Sequence, residues 1–549
     1  EERQRAKAAN QEPDFISLLR EWGGVTIVYR RGLNESPAYQ RNHEEVIKAM
    51  EEGIYYIEGM DPVRCELDEH GHVSTLVCRK LKQEDGRWLA TNEETNVQAR
   101  SVFVAAGTFP NAIYESEYPG TFTMEHDHFL PHVAQRQSLQ PVRVADHCKS
   151  PQFGPLTSFD MDSRRVSFLG DTHPVFNGSV VKAIASALRS YPEVMDAVGE
   201  RPTVQASADL LTTFQNTIAE QFTVEITKLK TDHPMVVELL VKAPLAAQNF
   251  KPGQFFRLQM YESLSPVVNG TRLQVPLQTI SGAGVNGDMV RLVLLRWGIN
   301  AKLVSRLKAG DKVVLMGPTG APTPVESNKT ILVVASSWGA AVMLGLGPAL
   351  RAAGCRVLYI ATYANEKELY YKDELENTAD EIVWNVASGS PIPASRDQDL
   401  STTNPNVIDL IKQYHARSLD GHNENAKIKL EDVDEVLVMG WTGLLKDFQK
   451  AYKNELREYF KADVELTGTV GSPMQCMLKG VCAQCLQWQI DPETGERTRA
   501  VFSCSMQDQP LMWIDVDNLT ARQGQNRLSE FLTNHWVDHV LENEHNVSS

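Results

Sequence analysis

Cationic charge is in short supply: 54 Lys and Arg face 70 Asp and Glu, a formal net charge of −16 over 549 residues. A surface that binds nucleic acid or an anionic bilayer must be basic, so neither is expected as a partner. Cysteine is sparse, eight in all, which is too few for a disulfide framework in so long a chain. No apolar stretch of the secretory type follows the charged residues 1–10, so no leader is read there. The one long uncharged run, 331–350, is interrupted by Ser336-Ser337-Trp338-Gly339 and by Gly345, Gly347 and Pro348. That pattern predicts a strand, a turn and a helix, and no membrane insertion. These absences together make a reducing, cytoplasmic location the expectation.

What is present is ordinary globular material: 42% hydrophobic and 23% charged residues, enough for about three or four domains. Region 1–195 reads as α/β, with a β-branched strand at 25–29, a helix at 44–52 and buried strands at 102–106 and 166–169. A polar linker with a small helix is expected over 196–218. Region 219–327 becomes all-β, with strands at 236–241, 255–259 and 290–296 between Pro/Gly turns. Alternation of strand and helix returns over 328–465, with strands at 331–335, 357–361, 382–386 and 436–439. The polar stretch 388–432 is longer than a usual connection and reads as an insertion or a mobile loop. Region 466–549 holds half of the cysteines and an amphipathic helix near 528–541.

Those cysteines are Cys476, Cys482, Cys485 and Cys504, spaced C-x5-C-x2-C-x18-C. The plant-type [2Fe–2S] pattern differs by one residue in the first gap. Gly480 and the small Ala483 stand where such a loop must curl. A four-cysteine structural zinc site also accepts a C-x2-C knuckle, although paired knuckles are its usual form. Elsewhere, 282–287 satisfies G-x-G-x-x-G, but it precedes a strand and therefore reads as a hairpin turn. A different series stands in the order a flavin barrel needs. Lys251-Pro252-Gly253-Gln254 turns into a strand; Pro276, Leu277, Gln278, Thr279, Ile280 and Ser281 follow; Gly298, Ile299, Asn300 and Ala301 open a helix; Gly317-Pro318-Thr319-Gly320 closes the set. A helix start at 298–301 suits an FAD diphosphate, whereas the same residues could be plain barrel turns. In the first region, Arg30 and Arg31 follow a strand where they would accept a 2′-phosphate, favouring NADP(H). Gly170-Asp171 suits a carboxylate on a flavin ribityl hydroxyl, with the helix from Ser179 aimed at the ring.

On the Pro-Gly-Gln turn, Pro276-Leu277, the Gly-Pro-Thr-Gly turn and the terminal cysteines, 219–520 resembles ferredoxin-reductase-type electron-transfer subunits. These are the subunit of dihydroorotate dehydrogenase and the small subunit of NADH-dependent ferredoxin:NADP oxidoreductase. The resemblance implies a ferredoxin-reductase-like β-barrel holding FAD over 219–327 and an α/β nucleotide domain over 328–465. It further implies a small [2Fe–2S] domain with a C-terminal helix over 466–549. Residues 24–190 resemble the later part of the glutamate synthase small subunit, through 25–31, 44–53, Ala105-Ala106-Gly107 with Pro110-Asn111, and Gly170-Asp171 with 178–184. That implies a partial two-Rossmann FAD/NAD(P) reductase region over 1–195 with its N-terminal part missing, since no glycine-rich fingerprint occurs there. Three motifs depart from the pattern. Val275 and Gln278 stand near the place of an expected arginine, the glycine-rich loop reads Ala335-Ser-Ser-Trp-Gly-Ala-Ala-Val342, and Trp441 replaces the proline of a later turn. The resemblance thus implies an FAD-dependent NAD(P)H oxidoreductase with an iron–sulfur cluster. It would move electrons between NADP(H) or NAD(H), FAD and [2Fe–2S], to or from a redox protein partner or other subunits of a longer polypeptide or larger complex. The alternative is a wiring or scaffold subunit with a decayed nucleotide site.

Overall fold

The structure is a computed structural model describing residues 1–549, apart from 106, 108, 136–137, 145–147, 163, 200–206, 275–276, 422–427, 472–481, 526 and 548–549. Pro276 and Cys476 therefore lie outside the described residues. The chain forms two compact units, Glu1–Arg201 and Pro202–Ser549.

In the first unit the strand Thr26–Val28 pairs in parallel with Tyr55–Ile57. The helix Pro37–Glu51 connects them; Ser36 caps it by accepting from the Tyr39 amide at 3.0 Å, and Pro37 sits in its first turn. An antiparallel meander follows, Met60–Leu67, Val73–Glu84 and Arg87–Gln98. Two sequence expectations change here. Residues 102–105 form no strand, and Phe103 and Val104 are 89% and 88% exposed. A buried parallel strand needs a neighbour to complete its hydrogen bonds, and these residues pair with neither strand of the parallel couple. The expected buried strand at 166–169 is instead Arg164–Ser167, an edge strand antiparallel to Leu156–Met161. The helix Val180–Val198 closes the unit.

The second unit starts with the helix Ala208–Phe222, which takes up the expected linker from residue 208 onward. Six strands then close into an antiparallel barrel: β1 Val224–Lys230, β2 Val236–Lys242, β3 Phe255–Met260, β4 Gln278–Asn286, β5 Met289–Leu295 and β6 Lys312–Thr319. Their order is β1-β2-β5-β4-β3-β6, with β6 returning to β1. Closure leaves no open edge, and the inward Val, Ile and Leu side chains form one core with Leu303 and Val304. Residues 282–287 are the end of β4 and a turn into β5, the hairpin expected from the sequence.

A seven-stranded sheet comes next: β7 Thr330–Ala335, β8 Arg356–Tyr363, β9 Glu381–Val386, β10 Leu400–Thr403, β11 Glu435–Met439, β12 Glu465–Thr469 and the short β13 Asp508–Pro510. Its order is β10-β9-β8-β7-β11-β12-β13, parallel except for β13. A closed antiparallel barrel followed by an α/β sheet is the ferredoxin-reductase-like arrangement expected for this part. The uncharged run 331–350 becomes β7 and the helix α2 Ser337–Ala352, numbered after the short barrel helix α1 Gly298–Val304. Gly345 of α2 lies against Gly282 of β4, where an added Cβ would stand 2.9 Å from the Gly282 carbonyl oxygen. Gly345 thus serves close packing of the α/β lobe on the barrel, whereas a Cβ on Gly282 would meet the Phe250 and Phe256 rings. The stretch 388–432 is not merely a loop: it supplies β10 and the helix α3 Val407–His415, which buries Ile408, Leu410, Ile411 and Tyr414. Their spacing is that of an amphipathic helix face, hidden in the sequence by polar flanks. Among the described residues, no helix is long and apolar enough to cross a membrane.

Candidate functional site

The segment that begins at Leu277 runs into β4, where Gln278 and Ile280 point into the barrel and are buried, while Thr279 is exposed. Opposite it, β3 places Phe255 across from Ser281 and Arg257 across from Thr279. Arg257 is fully buried. An arginine thus stands one ladder rung across from the strand of the expected motif, on the neighbouring strand. Its signal in the sequence was a lone cation inside the apolar run Phe255-Phe256-Arg257-Leu258, a position where a charge is costly unless it is paired.

Gly298 opens α1 with φ +75°, a conformation open to glycine and strained for other residues. Around it, Arg296 Nε, Asn300 Oδ1 and Asn534 Oδ1 are buried without a hydrogen-bond partner among the described residues. Unpaired buried polar atoms call for a ligand or water; of these three the Arg296 Nε–H is the donor that a phosphate oxygen could accept from, while the two amide oxygens call for a donor. Asn534 belongs to the helix α6 Arg527–Val547, which follows α4 Thr442–Ala451 and α5 Val516–Gly524. α6 inserts Val537 into the barrel core and pairs Asp538 with Lys302 of α1. The amphipathic helix at 528–541 was legible in the sequence; its seat on the barrel was not. Gly298→Pro, which demands φ near −65°, is expected to lower flavin content several-fold in a chain that stays folded. Equal flavin stoichiometry in a folded variant would contradict the assignment.

Cys485 and Cys504 lie side by side, 1% and 2% exposed. The Cys504 thiol hydrogen-bonds Cys485; with backbone N–H groups and the Arg522 charge it outweighs burial and lowers the Cys485 thiol to about 6. A thiol shifted downward passes more readily to the thiolate, the form that binds metal. Ala483 adopts φ +53°, the tight curl expected of the loop. Among the described residues no three His, Cys, Asp or Glu side chains converge as a metal set; Cys482 is half-buried, and Cys476 is outside them. The described donors fit a thiolate-ligated group.

This loop is fixed to the barrel by contacts that no motif revealed. Phe255 packs in one cluster with Cys485 and Cys504. Gln507 accepts from the Ala321 amide at 3.0 Å and donates to the Gly253 and Ala321 carbonyls. Asp508 accepts from Thr323 at 2.6 Å and Thr469 at 2.7 Å. The Pro-Gly-Gln turn must come close for this: Gly253 has φ +85°, and a Cβ there would lie 2.8 Å from the Thr323 nitrogen.

The strand order reverses between β7 and β11, the switch point where open α/β sheets bind ligands. A cleft of about 670 Å³ lies at this point, lined by Trp338, Gly440, Trp441 and Thr442, and by Gln523 and Arg527 from the C-terminal helices. Trp441 stacks on Trp297 of the barrel at 5.1 Å. Trp338 and Trp441 thus form part of the cleft wall. Ser337 donates to Glu368 at 2.6 Å, whereas the Ser336 hydroxyl is buried without a partner among the described residues.

At the opposite strand end of β11, burial pushes Glu435 up to about 7, against the opposing Lys329 and helped by Glu465, Glu326 and Asp508. A carboxyl raised in the folded state is neutral at no cost below its ordinary value and costs stability as pH climbs to the raised one. Glu435→Gln is therefore expected to raise the urea midpoint at pH 8, by about 3 kcal/mol of stability, and to change little at pH 4. Equal shifts at both pH values would contradict this.

In the first unit Arg30 and Arg31 are exposed just beyond Thr26–Val28, at the C-terminal end of a parallel strand. Gly170 and Asp171 form a short 3₁₀ turn, in which one Asp171 oxygen accepts from the Gly178 amide at 2.8 Å. The carboxylate thus closes the loop that leads to Ser179 and keeps a second oxygen for other use.

No family model matches the chain. It is 26% identical over 532 residues to an uncharacterized protein of Rickettsia prowazekii (strain Madrid E), covering 96% of this chain and 58% of that protein. Over 156 residues it is 27% identical to the electron transfer subunit of dihydroorotate dehydrogenase B (NAD(+)) from Bacillus mycoides, 28% of this chain and 57% of that subunit. The chain thus spans little more than half the length of these curated relatives. Among solved structures, the NADH-dependent reduced ferredoxin-NADP oxidoreductase superposes with a TM-score of 0.44 at 18% identity, covering 56% of this chain and 95% of that one. Dihydroorotate dehydrogenase electron-transfer subunits are therefore among the relatives of this chain, as the sequence motifs of its second unit implied.

Proposed function

We propose that the chain is an NAD(P)H oxidoreductase that carries FAD on its barrel and a [2Fe–2S] cluster on Cys476, Cys482, Cys485 and Cys504, and passes electrons to or from a redox protein partner. The observation that carries the reading is Phe255. It stands opposite Ser281 in the barrel ladder and packs on Cys485 and Cys504, so one side chain spans from the candidate flavin strand to the candidate cluster loop. When bound, FAD exchanges two electrons with a nicotinamide nucleotide and single electrons with an iron–sulfur cluster.

The chain's own residues supply position and exclusion. Leu277, Thr279 and Ser281 would face the ring system, with Pro276 before them, and Arg257 would keep a fixed positive charge beside this strand. Gly298, Ile299, Asn300 and Ala301 would receive the diphosphate, with the unpaired Nε–H of Arg296 as a donor beside them. Gln507 and Asp508 lock the cysteine loop to the barrel turns, which fixes the separation on which electron transfer depends. Phe255 fills that separation and keeps water from it. The switch-point cleft would admit the nicotinamide nucleotide once Trp441 moves off Trp297.

For the first unit the reading is a second flavin and nucleotide region, with Gly170 and Asp171 toward FAD and Arg30 and Arg31 toward a 2′-phosphate. Replacing both arginines with alanine should reduce the preference for NADPH over NADH by about 1.5–3 kcal/mol per lost charged hydrogen bond. A wild-type chain that prefers NADH would end this part of the reading.

The whole is tested by assaying NADPH- and NADH-driven reduction of a one-electron acceptor by the purified chain, alongside flavin, iron and sulfide analysis. One equivalent each of flavin and two-iron cluster with turnover supports it. Zinc in place of iron, with no flavin, favours the wiring role in a larger redox complex, which the altered loop at Ser336, Ser337 and Trp338 also suits.

A further inference from the structure

We infer that Arg522 is a positioning residue that sets the reduction potential of the group held by the cysteine loop. The inference rests on the iron–sulfur reading above. Arg522 lies on α5, beyond the last cysteine and outside every motif that the sequence presented. Its Nη2 donates to the Ala483 carbonyl at 2.8 Å and to the Gln484 carbonyl at 3.1 Å. These are the two residues between Cys482 and Cys485, so the guanidinium grips the knuckle from behind. Its Nε is buried and has no hydrogen-bond partner among the described residues. Gln487, two residues past Cys485 and almost fully buried, also has both amide atoms without such a partner.

A guanidinium stays charged at every pH the protein meets. A four-thiolate [2Fe–2S] group carries net negative charge that grows by one on reduction, so a partly buried cation held against the loop favours the reduced form. Charge, hydrogen bonds to sulfur and burial are the means by which a protein tunes such potentials. The two carbonyl contacts hold the arginine in place, and its free N–H leaves a donor for a sulfur acceptor. The loop therefore holds an easily reduced centre in a chain that is otherwise strongly acidic.

The test is a dithionite titration of the full chain with redox mediators, read by the EPR amplitude of the reduced cluster, for wild type, Arg522→Gln and Arg522→Lys. Iron and acid-labile sulfide are measured first; their absence from the wild type would overturn the iron–sulfur reading itself. With the cluster present, Arg522→Gln should lower the reduced-to-oxidised ratio at the wild-type midpoint at least tenfold, which is about 59 mV for a one-electron couple. Arg522→Lys, which keeps the charge and loses the fork, should stay much closer to wild type. An unchanged midpoint in Arg522→Gln overturns the inference. If Arg522→Gln assembles no cluster, Arg522→Lys decides: a near-wild-type midpoint supports the charge, and a full tenfold loss or an empty loop assigns Arg522 a structural role only.

Discussion

Cys485→Ser, and equally Cys504→Ser, is expected to strip the chain of iron and acid-labile sulfide and to cut reduction of a one-electron acceptor at least about tenfold, 1.4 kcal/mol on the barrier. Both thiols are buried against each other, and serine supplies neither the thiolate nor its affinity for iron. Flavin content and its bleaching by nucleotide should persist. The candidate flavin segment lies on β4, while the cysteine loop touches the barrel through Phe255 of β3 and the turn contacts of Gln507. The dissociation of the two readouts is the point of the experiment. A variant that keeps its iron, or one that loses flavin along with it, would contradict the arrangement.

Arg291→Met should destabilise the second unit by about 3 kcal/mol, the lower end of the cost of leaving a buried charge uncompensated. Arg291 of β5 donates through Nε to Glu238 of β2 at 2.7 Å and through Nη2 to Glu374 at 3.1 Å. It also stands 4.7 Å over the Tyr371 ring. Glu374 lies in the helix Lys372–Glu376 of the α/β lobe, so one guanidinium clamps barrel and lobe together. Burial opposes ionisation of Glu238, yet Lys230 and Arg291 hold its carboxyl below the usual range. Without the arginine, Lys230 at 2.6 Å remains as its cation, which limits the loss. Glu374→Gln is the control: Glu374 is half-exposed, and its removal should cost under about 1 kcal/mol. Urea unfolding followed at a probe in each half would read both effects, and equal midpoints for Arg291→Met and wild type would refute the clamp.

The barrel and the sheet were legible because their strands are short β-branched runs bounded by glycine and proline, from 236–241 to 436–439. Strand pairing, however, is a tertiary property. Phe103 and Val104 look like core in sequence and stand in solvent, because no neighbouring strand pairs with them. The polar flanks of Val407–His415 masked a helix whose buried face is only four residues. At the site, the cysteines and the Gly298 turn announced themselves by spacing and by residue type. Arg257, Gln507, Asp508 and Arg522 did not, since their roles come from the strand opposite or from segments roughly 40 to 250 residues away. A motif names what a single stretch of chain can do; the support around it is assembled from elsewhere in the fold.

The most direct test of the account is one pair of spectra: optical absorption and EPR of the purified chain, before and after anaerobic addition of NADPH. The account predicts flavin absorbance that bleaches on addition, followed by the EPR signal of a reduced [2Fe–2S] centre. A colourless protein that binds zinc, or a flavin that bleaches with no iron–sulfur signal even under dithionite, would contradict it.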